Sequence, residues 1–256
     1  IFRLSRYKGT SPKLAVENIF RPGIDVRMVK EKMHIIEKMP LVLPYGEIRR
    51  QLHLKKDARW DEVKSLIQTV LKHIQPKAVY RVCYIDKKQD HVIGIEGVRF
   101  KSRVLAKNLA AVERVFPFVV TIGHHYLEQM DAQEDLVVKY YLDVIGNIAL
   151  STARKYLEKV LQAGHGLEGM SFMSPGSLSD WPLEEQRSLF ALLGDGKTPI
   201  GVSLNNSCLM IPAKSVSGIY FPTEVPFMSC QLCDRQDCPS RKAAYDKKIG
   251  AEYGIV

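Results

Sequence analysis

Apolar side chains recur along residues 61–74 at Val63, Leu66, Ile67, Val70, Leu71 and Ile74, the three-and-four spacing of one helix face. Pro76 has no amide hydrogen and ends that helix. A longer double row runs through residues 135–161: Leu136, Val137, Tyr140, Tyr141, Val144, Ile145 and Ile148, then Tyr156, Leu157, Val160 and Leu161. It predicts the longest helix, with a slight bend where polar turns flank Gly146. Residues 102–115 predict a further helix. Val- and Tyr-rich residues 78–85 predict a strand, as do residues 92–95 and 118–122. Residues 164–181 are dense in Gly and Ser and predict a loop. Pro182 then opens a helix at its first turn, with Glu184 and Glu185 near the positive end and Gly194 closing it. Residues 200–204, 208–211 and 216–221 predict three short strands. Helices and strands mix without regular βαβ alternation, which argues for an α+β fold.

Residues 1–44 predict an extension. Gly9, Pro12, Pro22, Gly23 and Pro40 break it, and one short helix is expected over residues 25–38. The main domain then begins near Tyr45. No apolar run approaches the roughly 20 residues that cross a bilayer. No secretory pattern opens at Ile1, and five cysteines are no disulfide framework, so a reducing, cytoplasmic setting is expected. The net charge of +9 is spread along the chain without an RNA-recognition, helix-turn-helix or zinc-finger signature. An acidic protein partner or a solvated face explains it better than nucleic acid.

Three of the five cysteines, Cys230, Cys233 and Cys238, fall in the pattern C-x2-C-x4-C, followed by Pro239. Thiolates so spaced converge on one metal centre, but zinc asks for four ligands and bacterial ferredoxins use a tighter spacing. An iron–sulfur centre of the 4Fe–4S type, a zinc ion and a reduced metal-free loop all stay open. Cys208 is a candidate fourth ligand or a small buried core residue, and Cys83 lies inside a strand as core. His124 and His125 follow a strand end and read first as a surface loop or helix cap. Asn205, Asn206 and Ser207 read first as a hairpin turn. Trp181 either stacks on a ligand or anchors its loop.

Several blocks resemble, in order, the activation domain of cobalamin-dependent methionine synthase. They are Tyr80-Arg81-Val82, then residues 118–123 (FVVTIG), residues 142–147 (LDVIGN) and Ser174-Pro175-Gly176. The most specific is residues 212–221 (PAKSVSGIYF). The resemblance covers residues 45–225 and leaves out both the extension and the cysteine tail, residues 226–256. It implies one α+β unit with a central twisted antiparallel sheet and flanking helices. That unit holds S-adenosylmethionine against a cobalamin carried by another domain and supports reduction and re-methylation of inactive cobalt. It also implies ligand contacts at Pro175, Gly176, Ser177, Ser215, Ser217, Gly218 and Tyr220. Gly218 as a close-packing position and Tyr220 as core stand evenly beside that reading.

Two departures change the picture. The family's R-P-A-P-G-Y stretch falls on residues 172–177, so Phe172 replaces the arginine and Ser177 the tyrosine. An arginine grips a carboxylate through two parallel hydrogen bonds, and phenylalanine supplies none. Weak or absent S-adenosylmethionine binding is therefore expected. The chain also has no D-x-H-x-x-G corrinoid motif, so a cobalamin would arrive on a separate corrinoid protein or methyltransferase. Together these features predict an accessory protein for reductive activation of that partner, with iron–sulfur at the tail and an electron donor upstream. The alternative is a binding module for S-adenosylmethionine or another small molecule, with structural zinc.

Overall fold

The run Arg-Val-Phe-Pro-Phe-Val-Val-Thr has apolar residues at nearly every position, the composition of a strand covered on both faces. It forms β7 (Arg114–Thr121), in which every residue but Arg114 is buried. The computed structural model describes residues 26–29, 33–54, 58–194, 196–235, 237–238 and 241–255. Around β7 stand β1 (Val26–Val29), β2 (Met33–Ile36), β3 (Lys77–Arg81), β4 (Cys83–Gln89), β5 (Val92–Ile95) and β6 (Val98–Lys101). Later come β8 (Met170–Met173) and β11 (Ser215–Pro222), with β9 (Ser203–Leu204) and β10 (Met210–Ile211) as a separate two-stranded ribbon.

The remaining nine strands make one sheet, and every pair in it is antiparallel. One edge of β7 pairs with β11, Thr121 opposite Ser215 and Phe116 opposite Tyr220. Its other edge takes β3 and β4 in succession, the chain stepping from one to the other at Val82. β8 adds to the far side of β11, while β5 and β6 continue from β4 as a meander.

Side chains alternate across a strand, so β7 feeds two layers. Phe116, Phe118 and Val120 meet Ala153, Leu157 and Leu161 of the longest helix. On the opposite face Val115 joins Cys83, Phe100 and Trp181, and Val119 joins Phe190, Leu193 and Val202. The helices are α1 (Tyr45–Gln51), α2 (Ala58–Leu71), α3 (Arg103–Asn108), α4 (His124–Asp131), α5 (Leu136–His165), α6 (Gln186–Ala191) and α7 (Lys247–Glu252). Asp135 caps α5 by accepting from the Val137 and Val138 amides, and Gly166 ends it in the left-handed region. Gly146 lets α5 approach closely: a Cβ there would fall 2.7 Å from the Tyr126 ring and 3.3 Å from Lys214 Cε. The first turn of α5 is not core, since Leu136, Val137 and Tyr140 are exposed.

Four sequence-based expectations are corrected here. The described residues between 25 and 38 form two strands and no helix, because β2 is taken up by β3, Ile35 opposite Val79. The helix expected over residues 102–115 stops at Asn108, since Arg114 already belongs to β7. The loop expected over residues 164–181 contains β8 and the end of α5. The helix after Pro182 begins as the 3-10 turn Leu183–Glu185 before becoming α6. Among the described residues, no helix is long and apolar enough to cross a membrane.

Candidate functional site

The blocks singled out in the sequence meet around β11. Lys214 reaches across to α5, its Nζ donating to Asp143 Oδ1 and Asn147 Oδ1, both at 2.6 Å. This joins the LDVIGN block to the PAKSVSGIYF block. Ser215 Oγ donates to the Pro212 carbonyl at 2.7 Å and lies 2.9 Å from Thr121 Oγ1. Ser217 Oγ donates to Gln186 Oε1 at 2.6 Å, and that serine is 1% exposed. Both hydroxyls are thus spent inside the fold, tying β11 to its neighbours. Gly218 has no room for a side chain: a Cβ would fall 2.4 Å from the Met173 carbonyl. That closeness lets Ser174 Oγ donate to the Ser217 carbonyl at 2.6 Å.

Tyr220 carries the densest polar contacts. Its hydroxyl donates to Glu158 Oε2 at 3.1 Å and accepts from Arg154 Nη1, and Arg154 also donates to Glu158 Oε2 at 2.8 Å. Arg154 is buried, and its guanidinium lies 4.2 Å from the Phe172 ring centroid in a cation–π stack. Burial pushes the Tyr220 phenol far up, the Arg154 charge opposes that rise and Glu158 adds to it. The phenol therefore stays a neutral donor at ordinary pH. The cation beside Phe172 is already committed to Glu158 and Tyr220, so this cluster satisfies itself. Neither Arg154 nor Glu158 is legible as a site residue in the sequence; their four-residue spacing on a helix is the one available signal.

The loop carrying Pro175, Gly176 and Ser177 folds back on itself. The Gly176 amide donates to the Trp181 carbonyl at 2.7 Å, and Ser177 Oγ to the Ser174 carbonyl at 2.6 Å. Asp180 in this loop caps α3, accepting from the Val104 amide at 3.0 Å and the Arg103 amide at 3.2 Å. Trp181 is fully buried against Phe100, so it anchors the loop. Asn205 Oδ1 accepts from the Ser207 and Leu209 amides, the bonding of a side-chain-capped turn. His124 and His125 are exposed at the start of α4, with His125 Nδ1 3.0 Å from Glu128 Oε2.

Cys230, Cys233 and Cys238 are half-buried in one loop after the 3-10 turn at Ser229–Gln231 begins. That loop is docked on the sheet. Leu232 is buried with Cys83, Trp181 and Phe221, and Phe227, Cys233, Ile249 and Tyr253 pack on the same cluster. Tyr253 donates to Asn108 Oδ1 at 2.9 Å and the Phe227 amide to Ser171 Oγ at 2.7 Å. Cys208 is buried elsewhere, in the turn between β9 and β10. Among the described residues, no three His, Cys, Asp or Glu side chains are gathered into a metal-holding group. In kind, the three thiols suit a thiophilic metal, zinc or iron–sulfur. One of them, Cys230 Sγ, also accepts from the Lys242 amide at 3.4 Å, the type of outer contact that steadies a ligand.

The architecture defines the class: an α+β unit in which a central antiparallel sheet is flanked by helices. The particular fold is that of the methionine synthase activation domain. A crystal structure of the MetH reactivation domain bound to AdoHcy matches with a TM-score of 0.55 and 15% identity, over 85% of this chain and 88% of that chain. No family model and no curated protein matches the sequence.

Proposed function

We propose that this chain is an accessory protein for the reductive activation of a corrinoid methyltransferase or corrinoid protein. Cobalamin is carried by that separate partner, and Cys230, Cys233 and Cys238 hold an iron–sulfur centre in a reducing, cytoplasmic setting. The observation that carries the reading is the match to the MetH reactivation domain over 85% of the chain, with a thiol loop docked on the same core. Bound iron–sulfur would supply low-potential electron transfer. Residues 45–225 act as the activation-like unit, with residues 1–44 as its extension and residues 226–256 as its metal-bearing tail. The loop through Pro175, Gly176 and Ser177 offers the surface that meets the corrinoid, and the buried β11 segment from Ser215 through Ser217 and Gly218 to Tyr220 backs it. The net charge of +9 speeds encounter with an acidic partner.

A second reading is favoured by the AdoHcy in the solved domain: a binding module for S-adenosylmethionine or another small molecule, with zinc at the tail. Anaerobic purification separates the two. Brown protein with iron and labile sulfide, forming a salt-sensitive complex with a corrinoid protein on gel filtration, supports the first. Colourless zinc protein that forms no such complex supports the second.

A further inference from the structure

The cysteine loop has a hub. Arg241 Nη1 donates to the carbonyls of Cys230 at 2.9 Å and Ala243 at 3.0 Å. Its Nη2 donates to the carbonyls of Cys233 at 2.9 Å and Arg235 at 2.5 Å. All terminal hydrogens of the guanidinium are thereby spent, and every acceptor is a neutral main-chain oxygen. No carboxylate pairs with Arg241 among the described residues. Its Nε–H is buried without a partner among the described residues. The next amide along, that of Lys242, points at Cys230 Sγ.

We propose that Arg241 is the positioning residue of a thiolate metal site formed by Cys230, Cys233 and Cys238. The inference rests on the metal reading above. One arm of the loop is fixed, because Leu232 and Cys233 pack on the sheet core. Arg241 ties the other arm to it through the Cys230, Cys233 and Arg235 carbonyls, a main-chain framework on which a metal would gather the three thiols. Its planar fork reaches four carbonyls at once, which a lysine ammonium with three donors cannot do. Among the described residues, no carboxylate neutralises its positive charge. Three thiolates on a divalent ion or a cluster leave a net negative charge, and a nearby guanidinium offsets it. Among the described residues the Nε–H is a buried donor without an acceptor, a group that calls for an explanation in a native fold.

The test is anaerobic titration of the reduced full chain with Co(II), following the thiolate-to-cobalt absorption band. Wild type, Arg241→Lys and Arg241→Gln are compared, with the thermal midpoint of each metal-free protein as the folding control. Arg241→Gln should weaken Co(II) binding about tenfold to a hundredfold, the usual cost of losing an outer contact. Its absorption per bound cobalt should fall as well, which a merely structural role would not cause. Arg241→Lys keeps the charge and should fall between, and it serves as the test if the Gln variant does not fold. Equal affinity and equal band intensity in wild type and Arg241→Gln would overturn the role of Arg241 and leave the metal reading standing. No thiolate band in wild type would overturn both.

Discussion

Replacing Gly218 by alanine should damage both the sheet and the Ser174 loop. The new Cβ would lie 2.4 Å from the Met173 carbonyl, 3.0 Å from Ser174 Oγ and 3.1 Å from Phe118 Cε1. The carbonyl is main chain, and Met173 is locked opposite Ile219 in the β8–β11 pairing, so it cannot swing aside. Overpacking of this kind costs about 1–3 kcal/mol. The displaced Ser174 hydroxyl would add about 1 kcal/mol for its lost bond to the Ser217 carbonyl. A total of about 2–4 kcal/mol lowers the thermal midpoint of a chain this size by roughly 4–16 °C. Gly164→Ala is the matched control. Gly164 lies in α5 with open space around its Cβ position, so alanine there should stabilise by about 0.5–1 kcal/mol. Urea denaturation followed by far-ultraviolet circular dichroism measures both. A Gly218→Ala protein within about 0.5 kcal/mol of wild type would refute the close-packing argument, since ordinary surface changes stay inside that range.

Other outcomes follow from the same geometry. His165 packs 4.7 Å from the Phe116 ring, and burial first, then Arg114 and His34, lower its pKa from 6.5 to about 4. The folded state thus prefers the neutral imidazole. Its contribution is complete above pH 6.5 and is lost as pH falls towards 4, so His165→Gln should flatten that part of the stability curve; an NMR titration giving an ordinary value would contradict this. S-adenosylmethionine should bind weakly, because a lost charge-assisted contact at Phe172 costs roughly 1.5–3 kcal/mol, tenfold to over a hundredfold in affinity. Calorimetry giving a low-micromolar dissociation constant would show that another residue does the arginine's work. Serine at Cys230, Cys233 or Cys238 should abolish metal content while the sheet still unfolds cooperatively, and full metal occupancy in any of the three variants would count against that residue as a ligand.

The parts legible in the sequence are those whose signal is local. α5 announces itself through Val144, Ile145, Ile148, Leu157 and Leu161, all buried in the helix. Arg114 and Val115 of β7 read as the end of the preceding helix, whereas its later half is legible in residues 118–121. β8 is not, because Met170–Met173 sits in a Gly- and Ser-rich stretch and becomes a strand only by pairing with β11, about fifty residues on. β2 likewise depends on β3. The resemblance blocks gave the fold and pointed to Lys214, Ser217 and Tyr220, but not to their partners. Gln186 beneath Ser217 and Arg154 beside Phe172 come from other elements and carry no motif. Arg241 follows Cys238 by three positions, yet nothing in that spacing reveals the four carbonyls it gathers.

The proposed activity is tested most directly on the cobalt itself. Anaerobically purified, chemically reduced protein is mixed with a Co(II) corrinoid protein in the presence of a methyl donor, and the optical spectrum of the corrinoid is followed. The account predicts that Co(II) disappears faster with the wild-type chain than with the reductant alone. It also predicts that Cys233→Ser removes the acceleration and that rising salt weakens it. Unchanged Co(II) loss across corrinoid partners, with no complex on gel filtration, would contradict the activation role and leave the small-molecule binding module in its place.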